Sequence, residues 1–401
     1  MKLHKVLVGI GAGFGAGYLA VRTIEAAREW ANPAPARQKD AIAYARMRRA
    51  FDVVETLRGA AGLAAFARGW LAEAGDRATR PLPPWLRPAA YFASLSLVSA
   101  VAELPAAFIQ DYTLERRFGL SDQSRTAWLT DYAKSAAIGA ALVALVATLF
   151  GAAVRRAPKT WPVVAGIGTF PLFVIGNLIV PLYVMPLFNT FEPLAGSLEQ
   201  RLRGLARRFG VGDAEILRMD MSRQTRKANA FVTGIGRTHR IVLGDTLIDG
   251  FGDDEIEFVV AHELGHYVNK DTWRLIGIGE VLAIFLFAVA NAATPGRERD
   301  ALRERPLLIA RLYATMLFTT QALRPLLFAF SRSREWAADR FAIAATRDAA
   351  AGAAAFRRLR DQNLADADPP AWYELFFSSH PSLRKRIAAL ENSGRTATQS
   401  S

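Results

Sequence analysis

Cysteine is absent from all 401 residues, which excludes disulfides, thiolate-ligated metals and thiol nucleophiles. Histidine is scarce as well, with five in the whole chain, so a pair at a chemically meaningful spacing carries weight. Also missing is any basic cluster interleaved with aromatics. The net charge of +13 comes from arginines scattered through every loop. Nucleic acid is therefore not the expected partner, and anionic lipid headgroups suit the charge better. What the chain does have is apolar blocks set between charged ones, 51% hydrophobic residues beside 22% charged ones. It is long enough for more than one domain.

Long runs without charge dominate the first half. Residues 136–154 and 161–188 carry none, and residues 87–109 read as a span with Glu103 and Pro105 near its end. Residues 6–21, preceded by Lys2 and Lys5, read as a signal anchor rather than a cleaved signal peptide. Residues 57–72 are Ala-rich but hold Arg58 and Arg68. Two further apolar stretches, 273–293 and 307–330, complete about seven spans by the usual length rule. Alternation from an outside N-terminus puts residues 22–49, the loop at 111–125, the segment 189–270 and the Arg-rich C-terminal part on one side. That more basic side is expected to be cytoplasmic, although Arg155, Arg156, Lys159 and residues 297–305 lie opposite. Glu103, Glu280, Arg311 and Arg324 fall inside spans, where charge is costly against lipid. Either they face a polar cavity or they pair across packed helices.

Between two of these spans stands His262-Glu263-Leu264-Gly265-His266, after an acidic helix start at Asp253-Asp254-Glu255. Residues four apart share a helix face, so His262 and His266 can reach one Zn²⁺ ion, with Glu263 beside them to take a proton from water. A catalytic zinc needs a third protein ligand and an open position. Glu335 is the candidate, in Glu335-Trp336-Ala337-Ala338-Asp339. The spans 273–293 and 307–330 form a hairpin that returns the chain to the face it left. His266 precedes the hairpin by about 10 Å of helix and Glu335 follows it by about 7 Å. Asp339, one turn on, is placed to accept a hydrogen bond from a ligand histidine.

Residues 189–270 lie outside the membrane. Residues 198–209 form an amphipathic helix, and 215–221, 228–233 and 240–243 read as short strands with a turn at Gly234-Ile235-Gly236. An edge strand beside the zinc helix could pair with an extended peptide substrate. Asn229 is either a side-chain donor to that peptide or a turn residue. Near the end, His380-Pro381 precedes a basic helix, and either His380 or Arg386 could donate to an oxyanion forming opposite the metal. From Asn392 onward the polar Ser/Thr-rich chain is expected to be disordered.

These residues resemble the type-1 CAAX prenyl proteases, integral-membrane zinc endopeptidases of the gluzincin type. The likeness runs through Leu114-Glu115-Arg116-Arg117-Phe118-Gly119-Leu120-Ser121, Asp131-Tyr132-Ala133-Lys134 and Pro186-Leu187-Phe188-Asn189-Thr190-Phe191. It continues through Asn229-Ala230-Phe231, Ile241-Val242-Leu243-Gly244-Asp245, the two zinc motifs and His380-Pro381. The stretches before the zinc helix separate this family from shorter membrane proteases of the HtpX type. The resemblance implies a mainly α fold in which about seven transmembrane helices enclose a water-filled chamber, with a small α+β zincin-like segment. It implies five regions: spans in 1–188, the catalytic segment 189–271, a hairpin 272–330, a helical segment 331–391 and a tail 392–401. It also implies His262, His266 and Glu335 as ligands of one zinc, Glu263 as acid/base, and Asp339 behind the ligands. Asn229 would hold substrate backbone and His380 would steady the transition state. The partner implied is a peptide or protein, in this family a lipidated one. The Ala/Arg-rich composition is that of a high-GC bacterium, hence of an inner membrane, and makes membrane-protein quality control of the HtpX type the other activity to weigh. A non-catalytic relative of the same fold is expected to lose Glu263 or a ligand, and all are present.

Overall fold

The structure is a computed structural model and describes residues 36–68, 70–234, 238–294 and 306–399. Helix α1 (Ala36–Arg68) turns Ala45, Arg49 and Val53 inward, one residue every helical turn. After α2 (Trp70–Thr79) the chain enters α3 (Arg87–Ala107). Pro105 removes a helical N–H, and the helix continues through a wider π-type turn, Phe108–Thr113, to Arg117. α4 (Arg125–Arg156) starts on Ser124, whose hydroxyl accepts from Ala127 N. α5 (Trp161–Ile179) ends in the same manner as α3, with Pro181 in the π turn Val180–Val184.

Next comes a four-stranded sheet in the order β1-β2-β4-β3. β1 (Phe191–Pro193) leads into α6 (Ser197–Arg208), followed by β2 (Glu215–Met219), β3 (Ala230–Thr233) and β4 (Arg240–Gly244). β2 and β4 are parallel and the outer pairs antiparallel, which leaves β3 at an edge. Helix α7 (Asp253–Val268) opens with Asp253, Asp254 and Glu255, whose carboxylate accepts from Gly252 N at 2.9 Å. Ile256, Val260 and Leu264 share one face and join the core that Leu202 and Leu205 of α6 and Ile241 and Leu243 of β4 build, while Phe258 on the other face meets Phe356. Lys270, at a left-handed φ of 55°, breaks the helix before α8 (Asp271–Ala293). The long α9 (Pro306–Thr346) then runs without a break from the hairpin's return arm into the catalytic core. Helices α10 (Ala349–Gln362), α11 (Ala371–Phe377) and α12 (Leu383–Gln399) finish the chain.

Among the described residues, four helices are long and apolar enough to cross a membrane: Arg87–Arg117, Arg125–Arg156, Trp161–Leu187 and Asp271–Ala292. Leu142, Leu145, Leu149, Ile167, Phe170, Val281 and Phe285 stand exposed on them, as lipid-facing side chains do. The expected span 307–330 forms the first part of α9 but is not among these four. The stretch 57–72 is divided between the end of α1 and the start of α2, and 6–21 lies outside the described residues. Gly166 brings α5 and α8 together, since a Cβ there would come within 2.4 Å of Ile284. Beside it, Thr169 donates to Glu280 at 2.7 Å, so this span carboxylate is matched across packed helices. Glu103 is exposed, Arg324 stacks over Phe328 and Phe377, and the Arg311 side chain lies outside the described residues. Where α3 and α4 meet the loop before β3, an open pocket of about 490 Å³ is lined by charged Arg48, Asp111, Glu115 and Lys227 and by aromatic Trp128 and Phe188.

From Asn392, where disorder is expected, α12 continues in helix through Gln399, beyond the anchor that Ile387 and Leu390 make in the catalytic core.

Candidate metal centre

Three donors converge where α7 meets α9. Ligand atoms of His262, His266 and Glu335 all lie within 4.8 Å of one another, a spacing that one ion at roughly 2.0–2.2 Å from each can span. The two histidines come from one face of α7, with ring centroids 4.9 Å apart. Glu335 comes from α9, and the close approach of the helices depends on Gly265. A Cβ there would meet Ala338 Cα and the Phe341 ring edge at 3.1 Å. Glu335 Oε1 lies 3.4 Å from His266 Nε2, and Oε2 lies 3.4 Å from His262 Nε2. The two carboxylate oxygens thus each face one imidazole nitrogen, in a buried setting. Two imidazoles and a carboxylate converging in this way fit a hard-to-borderline divalent cation, and the N₂O donor set fits zinc.

Each histidine is backed by a carboxylate that itself meets an arginine. His262 Nδ1 lies 2.9 Å from Asp339 Oδ1, and Arg386 donates to both Asp339 oxygens at 2.6 and 2.8 Å. Arg386 is buried, rests over the Phe356 ring at 4.2 Å, and brings Nη1 to 3.2 Å from Glu335. On the other side His266 Nδ1 lies 2.9 Å from Asp271 Oδ2, and Arg334 donates to Asp271 Oδ1 at 2.6 Å. Sequence reasoning passed over Asp271 and Arg334. The usable signal was a lone acid opening a membrane-spanning helix just after the motif.

Electrostatics follow from this burial. Burial works against ionising Glu335, but hydrogen bonds from His262 and His266 outweigh it and hold its carboxyl well below the usual range. Glu263, beside His262 on the same turn, is pushed above the usual carboxylate range by burial, which makes it a stronger base. His380 sits at the rim with its side chain 61% exposed, Nε2 at 3.3 Å from Glu335 Oε1. Asn229 lies outside this cluster of contacts. It is exposed just before the edge strand β3, and its carbonyl accepts from Gly244 N at 2.9 Å.

A helical His-His-Glu site beside a small sheet, in a chain with four helices able to cross a membrane, defines a membrane metallopeptidase of the zincin kind. The model of peptidase family M48 matches residues 193–393, and the chain belongs to that family. Residues 34–190 match a second model, described as the CAAX prenyl protease N-terminal region with five membrane helices. The uncharacterized metalloprotease YhfN of Bacillus subtilis is 31% identical, over 74% of this chain and 71% of its own length. CAAX prenyl protease 1 of Saccharomyces cerevisiae is 26% identical, over 74% and 70%. In fold, the chain is similar to the crystal structure of S. mikatae Ste24p, with a TM-score of 0.80 at 24% identity, covering 88% of this chain and 89% of that one. The protein is thus an integral-membrane metalloendopeptidase that acts on peptide or protein substrates.

Proposed function

We propose that His262, His266 and Glu335 hold one Zn²⁺ and that the protein cleaves peptides near the C-terminus of membrane-associated proteins. The observation that carries this is the convergence of Glu335 on both motif histidines, across the α8–α9 hairpin. Zinc bound there supplies a Lewis acid for the scissile carbonyl and lowers the pKa of water. Glu263 takes the proton from the attacking water and passes it to the leaving amine. Asp339 and Asp271 are each placed to accept from an Nδ1–H, which would fix the tautomers and leave both Nε2 atoms, on the side of Glu335, free to hold a metal. The substrate backbone pairs with the free edge of β3, and Asn229 at its start donates a side-chain hydrogen bond. Of the two candidate oxyanion donors, geometry favours His380. It faces open space, whereas Arg386 is spent on Asp339.

Relatives named CAAX prenyl protease 1 favour a prenylated C-terminal peptide as the substrate class. The basic segments on the catalytic side favour a cytoplasmic face, in a bacterial inner membrane. The test uses purified protein in lipid nanodiscs, its zinc content measured, with matched peptides bearing or lacking a farnesyl thioether. Cleavage that requires zinc and prefers the lipidated peptide is expected. Equal rates on both peptides would move the reading to general membrane-protein quality control, and no zinc-dependent cleavage of either would remove it. Protease protection of a tag after Gln399 in sealed vesicles checks the side.

A further inference from the structure

His380 poses a positioning problem. Its imidazole is 61% exposed, so packing cannot hold it beside Glu335, yet an oxyanion donor must stay within a fraction of an ångström of its working place. The hold has to come from the backbone around it. That backbone is the end of α11 and the three residues after it. The last carbonyls of any helix lack intrahelical partners. Here Arg332 Nη1 donates to Glu374 O at 2.8 Å and to Ser378 O at 2.9 Å. A guanidinium there satisfies two carbonyls and lies at the negative end of the helix.

From this anchor the path to the imidazole is short. Ser378 Oγ donates to His380 O at 2.8 Å, and Ser379 Oγ lies 2.9 Å from His380 Nδ1. At the other end, Arg332 stands three residues before Glu335 on α9, on the same helix face. One helix therefore carries both the metal-site carboxylate and the clamp on the histidine segment. Other contacts also grip α11: Tyr373 donates to Asp52 of α1, Lys385 of α12 reaches Glu374 Oε2 at 2.8 Å, and Arg324 of α9 stacks over Phe377. These hold side chains of α11, whereas Arg332 takes hold of the backbone that leads to His380.

We propose that Arg332 is a positioning residue for the peptidase reaction. By clamping the Glu374 and Ser378 carbonyls it fixes His380 relative to Glu335, so that the two keep their spacing if α9 shifts. The proposal rests on the reading of His380 as the oxyanion donor.

The experiment uses the full chain in nanodiscs with Arg332→Gln, Arg332→Lys, His380→Ala and the Arg332→Gln/His380→Ala double variant. Zinc content, kcat and KM on one peptide are measured, together with hydrogen–deuterium exchange of residues 371–383. Arg332→Gln is expected to lower kcat by about 10–100-fold, as loss of an outer-shell partner does, with KM and zinc content within about twofold. Arg332→Lys, which can still reach one carbonyl, should recover part of the loss. In the His380→Ala background the same Arg332→Gln change should cost less than about twofold, because its route to the reaction is already gone. Exchange of 371–383 should quicken in Arg332→Gln and stay unchanged in His380→Ala. An equal loss of kcat in both backgrounds would overturn the proposal, and so would unaltered exchange in Arg332→Gln. If His380→Ala itself keeps the parent kcat, the donor reading falls, and the exchange data alone decide whether Arg332 holds the segment. Should Arg332→Gln fail to fold, Arg332→Lys carries both measurements.

Discussion

Glu263 and Glu335 are both carboxylates of the metal centre, yet their surroundings push them in opposite directions. Hydrogen bonds from two histidines keep Glu335 ionised, as a ligand must be, while burial raises Glu263 toward the range of a working base. Glu263→Gln should therefore keep stoichiometric zinc and lose peptide cleavage, since an amide accepts no proton from water. Metal analysis beside a turnover assay checks it, and near-parent turnover would remove the mechanism. His380→Ala should keep zinc and lower kcat by about 10²–10³, the usual cost of one oxyanion donor. An unchanged kcat would return that role to Arg386. Asp271→Asn keeps the size of the side chain but no longer offers His266 an anionic acceptor. Zinc affinity should fall by about 10–100-fold, read by competition with a chromophoric chelator. An affinity equal to that of the parent would mean that Asp271 serves packing alone.

Helices made this site partly legible in advance. The 3.6-residue period places His262 and His266 together, and counting residues through the hairpin brings Glu335 to the same depth. Asp339 follows by one more turn. The strands over 215–219, 230–233 and 240–244 were readable from β-branched runs and a glycine turn, but β1 was not, being three residues that include a proline. Asp271 was hidden for a backbone reason. It reaches His266 across the break at Lys270, whose left-handed conformation separates α7 from α8. The grip of Arg332 on α11 was hidden too, since it joins residues 42 and 46 positions apart. No local pattern reports such a contact. Gly265 makes the element-scale argument testable. Its missing side chain lets α9 approach within van der Waals range of α7. Gly265→Ala should cost about 1–3 kcal/mol through overpacking, while Gly265→Leu should separate the helices and lose zinc. Stability is read by thermal melting and metal content by mass spectrometry, and a Gly265→Leu variant with full zinc would show that α9 can approach otherwise.

At the scale of the whole molecule, the proposed zinc would join two arms of the chain, α7 and α9, which the expected hairpin separates in sequence. His262 and His266 lie just before the apolar helix α8, and Glu335 lies in the second half of α9. The apolar core around α7 and α9 is separate from the clusters that pack the spans, Trp161 with Phe287 and Ala290 in one and Tyr91 with Phe92 in another. Zinc should therefore stabilise the catalytic core specifically, and by mass action. At a free concentration about 1,000-fold above Kd the gain is roughly 4 kcal/mol, which for a unit of this size raises the melting midpoint by roughly 8–16 °C. A chelator should remove that increment reversibly and leave the span helices folded, as followed by far-UV circular dichroism in nanodiscs. Glu263→Gln should show the same zinc-dependent shift as the parent, because its ligands are untouched. Glu335→Ala should show little or none, since two histidines on one helix no longer join the arms. A full zinc-dependent shift in Glu335→Ala would mean that the ion is held within α7 and its neighbours, and the hairpin would then have no part in binding it.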